Sequence, residues 1–144
     1  MIGKHASKLE VAKSLDFNVT STDDGEIPAA SFSLVVDATG SPAGLTESLR
    51  LVEPRGTVVM KSTFREMAQF DTAKLVVDEI TLLGSRCGNF SKAIDLMRRR
   101  RVETKPLVSK RFPLEAGLEA FRSLNDPTCF KILLAPRQNG KAAS

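Results

Sequence analysis

Short apolar runs alternate along this chain with stretches of helical period, and that alternation constrains the fold more than any other feature. Leu34-Val35-Val36 carries almost no polar relief and ends at Asp37-Ala38-Thr39-Gly40. Ser41-Pro42 then supplies an N-cap and a first-turn proline, both favoured where a helix begins. Leu45, Leu49 and Val52 follow at i, i+4, i+7 as a core stripe, and Glu53-Pro54-Arg55-Gly56 reads as a turn into a strand from Thr57 to Met60. Strand–helix–strand units of this kind build a parallel sheet, and a strand as apolar as Leu34-Val35-Val36 is expected to be covered on both faces.

The pattern reaches both ends of the 144-residue chain. Met1 to His5 reads as a short strand, followed by a helix over Lys8 to Leu15 that Ser7 and Glu10 would open as a capping box. Asn18 to Ser21 is a candidate edge strand, and Thr22 to Pro28 is a polar loop. Arg65 to Val77 is irregular with a short helix, and Glu79 to Leu83 is a further strand closed by Gly84-Ser85-Arg86-Cys87-Gly88. Ser91 to Arg101 is helical with Ala93, Ile94 and Met97 on one side. Leu114, Leu118 and Phe121 mark another helix entered through Phe112-Pro113, and Phe130 to Leu134 is a last strand. The expected organisation is one α/β domain over residues 1–136 and a polar tail over 137–144.

Composition closes off several function classes. The formal charge of +4 comes largely from Arg98 to Arg101. Cations in the last turn of a helix oppose its dipole favourably, and no aromatic platform accompanies the run, so no nucleic acid is expected. No apolar stretch approaches a membrane span, no signal layout opens the chain, and Cys87 and Cys129 read as free thiols, which together give a cytoplasmic expectation. Cys87 is expected as a small buried residue at a strand end. One histidine and two distant cysteines make no set of three metal ligands.

In an open parallel sheet, ligands bind beyond the carboxyl ends of the strands. Four such ends are legible: Gly3-Lys4-His5, Asp37-Ala38-Thr39-Gly40, Met60-Lys61-Ser62 and Gly84-Ser85-Arg86-Cys87. Small residues there admit a flat ligand to the backbone, and Lys4, His5, Lys61 and Arg86 suit a polyanion.

The stretches Val36 to Gly44, Pro54 to Lys61, Gly84 to Gly88 and Phe112 to Phe121 resemble, in order and spacing, the medium-chain dehydrogenase/reductase family, and within it the zinc-type alcohol and threonine dehydrogenases. The resemblance runs from Met1 to about Pro136. It implies a Rossmann-like doubly wound parallel sheet that binds NAD or NADP in enzymes moving a hydride between an alcohol and a carbonyl. It also implies roles for residues. His5 stands beside Lys4 where the family holds the adenosine ribose with an acid; the exchange for positive charge favours the 2′-phosphate of NADP. Lys8 matches a position near the same ribose. Thr39 and Gly40 match the adenine and ribose side, Lys61 and Ser62 the edge nearer the nicotinamide, and Ser85, Arg86 and Cys87 the segment whose backbone meets the carboxamide. The resemblance further implies a homo-oligomer joined through the last sheet strand, Glu79 to Leu83.

The departures carry expectations of their own. The Gly-x-Gly-x-x-Gly turn that seats pyrophosphate on a helix N-terminus does not occur among the nine glycines, so the sheet is expected to be incomplete and cofactor binding weak or absent. Zinc and catalysis belong to a domain of the parent enzyme that this sequence does not contain, so the chain alone is expected to be inactive. In the strand order 3-2-1-4-5-6, the first strand separates the second from the fourth. Without it, either residues 1–5 shift to pair with Leu34 to Val36, or the region around residues 1–30 is loose. The alternative function is a non-catalytic association or regulatory module that pairs through its sheet edge.

Overall fold

A computed structural model describes residues 1–136; the polar tail expected over 137–144 lies outside the described residues. The chain divides into two compact units, one formed by Met1–Gly25 with the chain from Ala93 onward, the other by Glu26–Lys92. The strands pair in parallel throughout, which establishes the expected α/β class.

The second unit holds a three-stranded sheet in the order β3-β4-β5, with β3 at Phe32–Asp37, β4 at Val52–Met60 and β5 at Thr81–Gly84. The helix α2, Pro42–Leu51, begins as its sequence predicts: Ser41 is the N-cap, its hydroxyl accepts from the Gly44 amide at 3.2 Å, and Pro42 occupies the first turn. Leu45, Leu49, Val52 and Val58 form the buried cluster, with Val35 and Leu82 packed against it. The helix therefore covers one face of the sheet, the face that carries Val35, Val58 and Leu82 in register. A short helix α3, Thr72–Val77, is capped by Asp71, whose carboxylate accepts from the Ala73 amide.

Two expectations fail here. Val52 leaves α2 directly into β4, so residues 53–56 form no separate turn. They bulge instead: the β3-β4 register slips between Phe32 and Leu34, and Arg55 takes a left-handed φ of 64°. Nor is β3 covered on both faces, since Leu34 and Val36 are more than half exposed. A parallel strand is apolar all round only where two layers sandwich it, and within this unit only the Val35 side has its layer.

In the first unit β1, Ile2–Gly3, pairs with β2, Thr20–Ser21, and β1 makes no pairing with β3. The helix α1, Ala6–Ser14, starts earlier than the expected Lys8, with His5 as an extended N-cap that has no side-chain cap bond. The Ser7–Glu10 capping box does not form; the His5 carbonyl accepts from the Lys8 and Leu9 amides, which places Ser7 inside the first turn. Leu9 and Ala12 are its buried positions. β6, Val108–Pro113, pairs with β7, Lys131–Ala135. β6 is a strand where only a helix entry at Phe112-Pro113 was read, because Val108 to Pro113 has no strong apolar alternation. α5, Gly117–Ser123, follows a 3-10 turn over Leu114–Ala116. Leu114, Leu118 and Phe121 are exposed rather than inward, and Ala120 is the residue of α5 that is buried. The amphipathic α4, Phe90–Arg98, likewise buries no residue.

Candidate functional site

The carboxyl ends of β3, β4 and β5 fall in one row, because Asp37 pairs with Met60 and Met60 with Gly84. Parallel register thus delivers Thr39 and Gly40, Lys61 and Ser62, and Ser85, Arg86 and Cys87 to the same end of the sheet. Main-chain bonds tie the row together just past the strands: the Lys61 amide donates to the Asp37 carbonyl at 2.8 Å and the Ser85 amide to the Met60 carbonyl at 3.0 Å. The Lys61 ammonium donates to the Arg86 carbonyl, joining the β4 and β5 ends. Seven of the ten residues singled out from sequence therefore lie on three adjacent strand ends of one unit.

Asp37 organises the first of these ends. It is buried, on the face that α2 covers. One carboxylate oxygen accepts from the Thr39 amide at 3.0 Å and from the Thr39 hydroxyl at 2.7 Å. The other accepts from the Ser62 hydroxyl at 3.5 Å. Ser62 in turn accepts from the Gly40 amide at 2.9 Å. Gly40 has a φ of +72°, and a Cβ built on it meets nothing within 4 Å, so its backbone faces open space. A side chain at Gly44, by contrast, would overlap Thr39, whose Oγ1 lies 1.8 Å from a built Cβ. Gly44 is what lets the Thr39 side chain turn back onto Asp37.

Lys61 and Arg86 are exposed and place positive charge at this end. Cys87 is exposed, not buried as its strand-end position suggested, because β5 stops at Gly84 and residues 85–89 run free of the sheet. Lys4, His5 and Lys8 belong to the first unit, directly after β1. Lys4 is exposed and His5 half-buried, while the Lys8 ammonium stands 5.7 Å from the centroid of the Phe130 ring. That cation–π contact occupies Lys8 in a way its spacing from His5 does not reveal. The link from Asp37 across to Ser62 joins residues 25 apart, and no local signal announces it.

A shallow depression of about 380 Å³ lies elsewhere in the same unit, lined by Leu49, Arg50, Phe70, Asp71 and Lys74 among others. Its charges are already engaged. Arg50 pairs with Glu47 and Glu26 and donates to the Ile27 carbonyl, Lys74 pairs with Asp78, and Asp71 caps α3. At the strand ends, by contrast, the Gly40 backbone is bare and Arg86 is exposed, while the Lys61 ammonium bonds the Arg86 carbonyl.

Comparison with known proteins decides the family. Residues 1–99 match the family model described as zinc-binding dehydrogenase. The chain belongs to the zinc-binding dehydrogenase family. Sorbitol dehydrogenase of Gallus gallus is 32% identical over 142 residues, which covers 90% of this chain and 40% of that protein. The chain thus spans about two fifths of the length of that relative. Among solved structures, L-idonate 5-dehydrogenase of Escherichia coli superposes with a TM-score of 0.84 at 22% identity, over 93% of this chain and 42% of that one. An Escherichia coli alcohol dehydrogenase complexed with NADH gives 0.79 at 19% identity, over 93% and 43%. A zinc-binding dehydrogenase of Sinorhizobium meliloti bound to NADP gives 0.80 at 20% identity, over 94% and 44%. These likenesses establish a Rossmann-like fold.

The family name raises the question of zinc. Among the described residues, no three His, Cys, Asp or Glu side chains come together in a group that would hold a metal. The donors among the described residues do not fit a zinc centre. No helix among the described residues is long and apolar enough to cross a membrane.

Proposed function

We propose that this chain is part of the nucleotide-binding domain of an alcohol dehydrogenase-like oxidoreductase, with NADP as its dinucleotide, held weakly for want of the Gly-x-Gly-x-x-Gly turn, and with no catalysis of its own. The observation that carries the reading is the single row of strand ends at Asp37, Met60 and Gly84, followed at once by small residues and by the cations Lys61 and Arg86. An open parallel sheet offers its ligand site at that end. Thr39 and Gly40 would support the adenosine side, Lys61 and Ser62 the nicotinamide side, and the main chain of Ser85, Arg86 and Cys87 the carboxamide. Taken by itself, the first unit carries Lys4 and His5 just after β1, a charge that suits a 2′-phosphate better than bare ribose hydroxyls, and Lys8, which Phe130 engages.

When bound, the dinucleotide accepts or supplies the hydride that an alcohol and its carbonyl exchange. The residues of this chain bind and orient it, and none of them is placed as an acid, base or metal ligand for the reaction. The substrate of the whole protein, judged from the sorbitol and idonate relatives, is a polyol-type alcohol, and its place of work is the cytoplasm. Titration of the chain with NADPH, followed by nicotinamide fluorescence, tests the reading directly because the chain has no Trp or Tyr to interfere. Saturable binding that is tighter than for NADH supports it; equal or tighter NADH binding removes the NADP assignment, and no saturation with either removes the function.

A second reading, a module that associates through its sheet edge, is favoured by the bare side of the sheet. β5 is an edge strand in the observed order, and Leu83 is half exposed. An unpaired edge beside exposed apolar side chains promotes pairing with another chain. Sedimentation at tens of micromolar tests it: a dimer that Leu83→Lys dissolves supports the module, and a monomer at that concentration rejects it.

A further inference from the structure

The carboxylate of Asp37 does more than hold its own turn. A turn of this kind needs only one oxygen and one amide two residues on, as the contact to the Thr39 amide supplies. Here the side chain is 1% exposed, and its second oxygen reaches Ser62 beyond the end of the neighbouring strand. Burying a carboxylate is costly unless donors surround it. Three donors do so: the Thr39 amide, the Thr39 hydroxyl and the Ser62 hydroxyl. Its negative charge is thereby met by donors that stand just past the ends of β3 and β4.

The consequence falls on Gly40. The Ser62 hydroxyl lies 3.5 Å from the second Asp37 oxygen, toward which it can donate, and accepts from the Gly40 amide at 2.9 Å. Gly40 is held at positive φ, with open space where a Cβ would stand. We propose that Asp37 is a positioning residue for the dinucleotide: through Thr39 and Ser62 it sets the height and tilt of the bare Gly40 backbone, the floor on which the ribose and adenine rest. This inference rests on the nucleotide-binding reading and deepens it. The Thr39 branch depends on Gly44, since any side chain there would push Thr39 off Asp37. The Ser62 branch is the one that ties the floor to β4.

The test uses the full chain with NADPH as probe and amide hydrogen exchange as a second readout. Ser62→Ala is expected to weaken NADPH binding and to speed exchange at Gly40, each by about tenfold or more. The amides of Leu45, Leu49 and Val58 are expected to exchange as before. Ser62→Thr, which keeps the hydroxyl, restores both. Asp37→Asn, which puts an amide where the carboxylate met its donors, is expected to reproduce the Ser62→Ala effect or exceed it. A merely structural role would speed the core amides together with Gly40, and that result overturns the proposal. So does unchanged NADPH affinity in Ser62→Ala with Gly40 exchange accelerated, which leaves the nucleotide reading standing. Absence of NADPH binding by the unsubstituted chain removes the nucleotide reading itself.

Discussion

On one face of the β3-β4-β5 sheet, Val35, Val58 and Leu82 lie in register beneath α2; on the other, Leu34 and Thr57, then Val36, Val59 and Leu83, lie in equally good register with no such helix from the same unit. Val58 is fully buried while Val36 is 56% exposed, although both are valines of adjacent strands. Strand periodicity thus settles which side chains share a face. It does not settle whether a layer arrives to cover that face, because the covering helix is a long-range partner. The carboxyl end of the sheet shares the same asymmetry, since Asp37 is buried on the covered side and Gly40 faces open space.

The largest expected contrast comes from truncating one residue on each side. Leu45→Ala, on the helix that covers the sheet, is expected to cost about 2–5 kcal/mol in urea unfolding. Val36→Ala is expected to stay within about 0.5 kcal/mol, as for an exposed position. Comparable losses at both would mean that the Val36 face is packed in solution, and the comparison would break.

That contrast also marks what was legible beforehand. The start of α2 was readable to the residue, because Ser41 and Pro42 act locally and the stripe Leu45, Leu49, Val52 needs one partner surface only. The start of α1 was not, because Ser7 and Glu10 fit a capping pattern whose geometry the chain realises two residues earlier, at His5. The stripe Leu114, Leu118, Phe121 has good spacing yet is exposed, for the same reason as Leu34 and Val36: periodicity names a face and says nothing of its cover. At the site, Thr39, Gly40, Lys61 and Ser62 were readable as strand ends. The Asp37–Ser62 link was hidden because it depends on β3 and β4 ending in the same row.

Next in size is Gly44→Ala. The added methyl would overlap Thr39, and relief of that overlap is expected to cost about 1–3 kcal/mol. Thr39→Ala in the same chain should recover part of it, since the clash is with that side chain; a fully additive pair would contradict the contact. Val36→Lys sharpens the comparison from the other direction. It should leave the unfolding midpoint nearly unchanged while raising the concentration at which the chain associates, as read by sedimentation, because the open face tolerates a charge and loses apolar contact area.

The smallest effect is a titration. The hydrogen bonds from Arg50 hold the Glu47 carboxyl below its ordinary value, against an opposing push from burial. A carboxyl lowered in the folded state adds stability above its unfolded pKa and loses that contribution as pH falls through the folded one. Both side chains keep partial access to solvent, so screening holds the gain small. Arg50→Ala should return the Glu47 titration, followed by NMR, toward the ordinary carboxylate range and flatten this part of the acid limb. An unmoved Glu47 midpoint would show that the ion pair is not formed in solution.

The account stands or falls on where a dinucleotide touches the chain. The decisive measurement is an amide-shift map of the full chain with and without saturating NADP. The account predicts perturbations concentrated at Thr39, Gly40, Lys61, Ser62 and Ser85, the ends of three parallel strands. Shifts centred on Arg50, Phe70 and Lys74, or none above the level produced by simple phosphate, would contradict it.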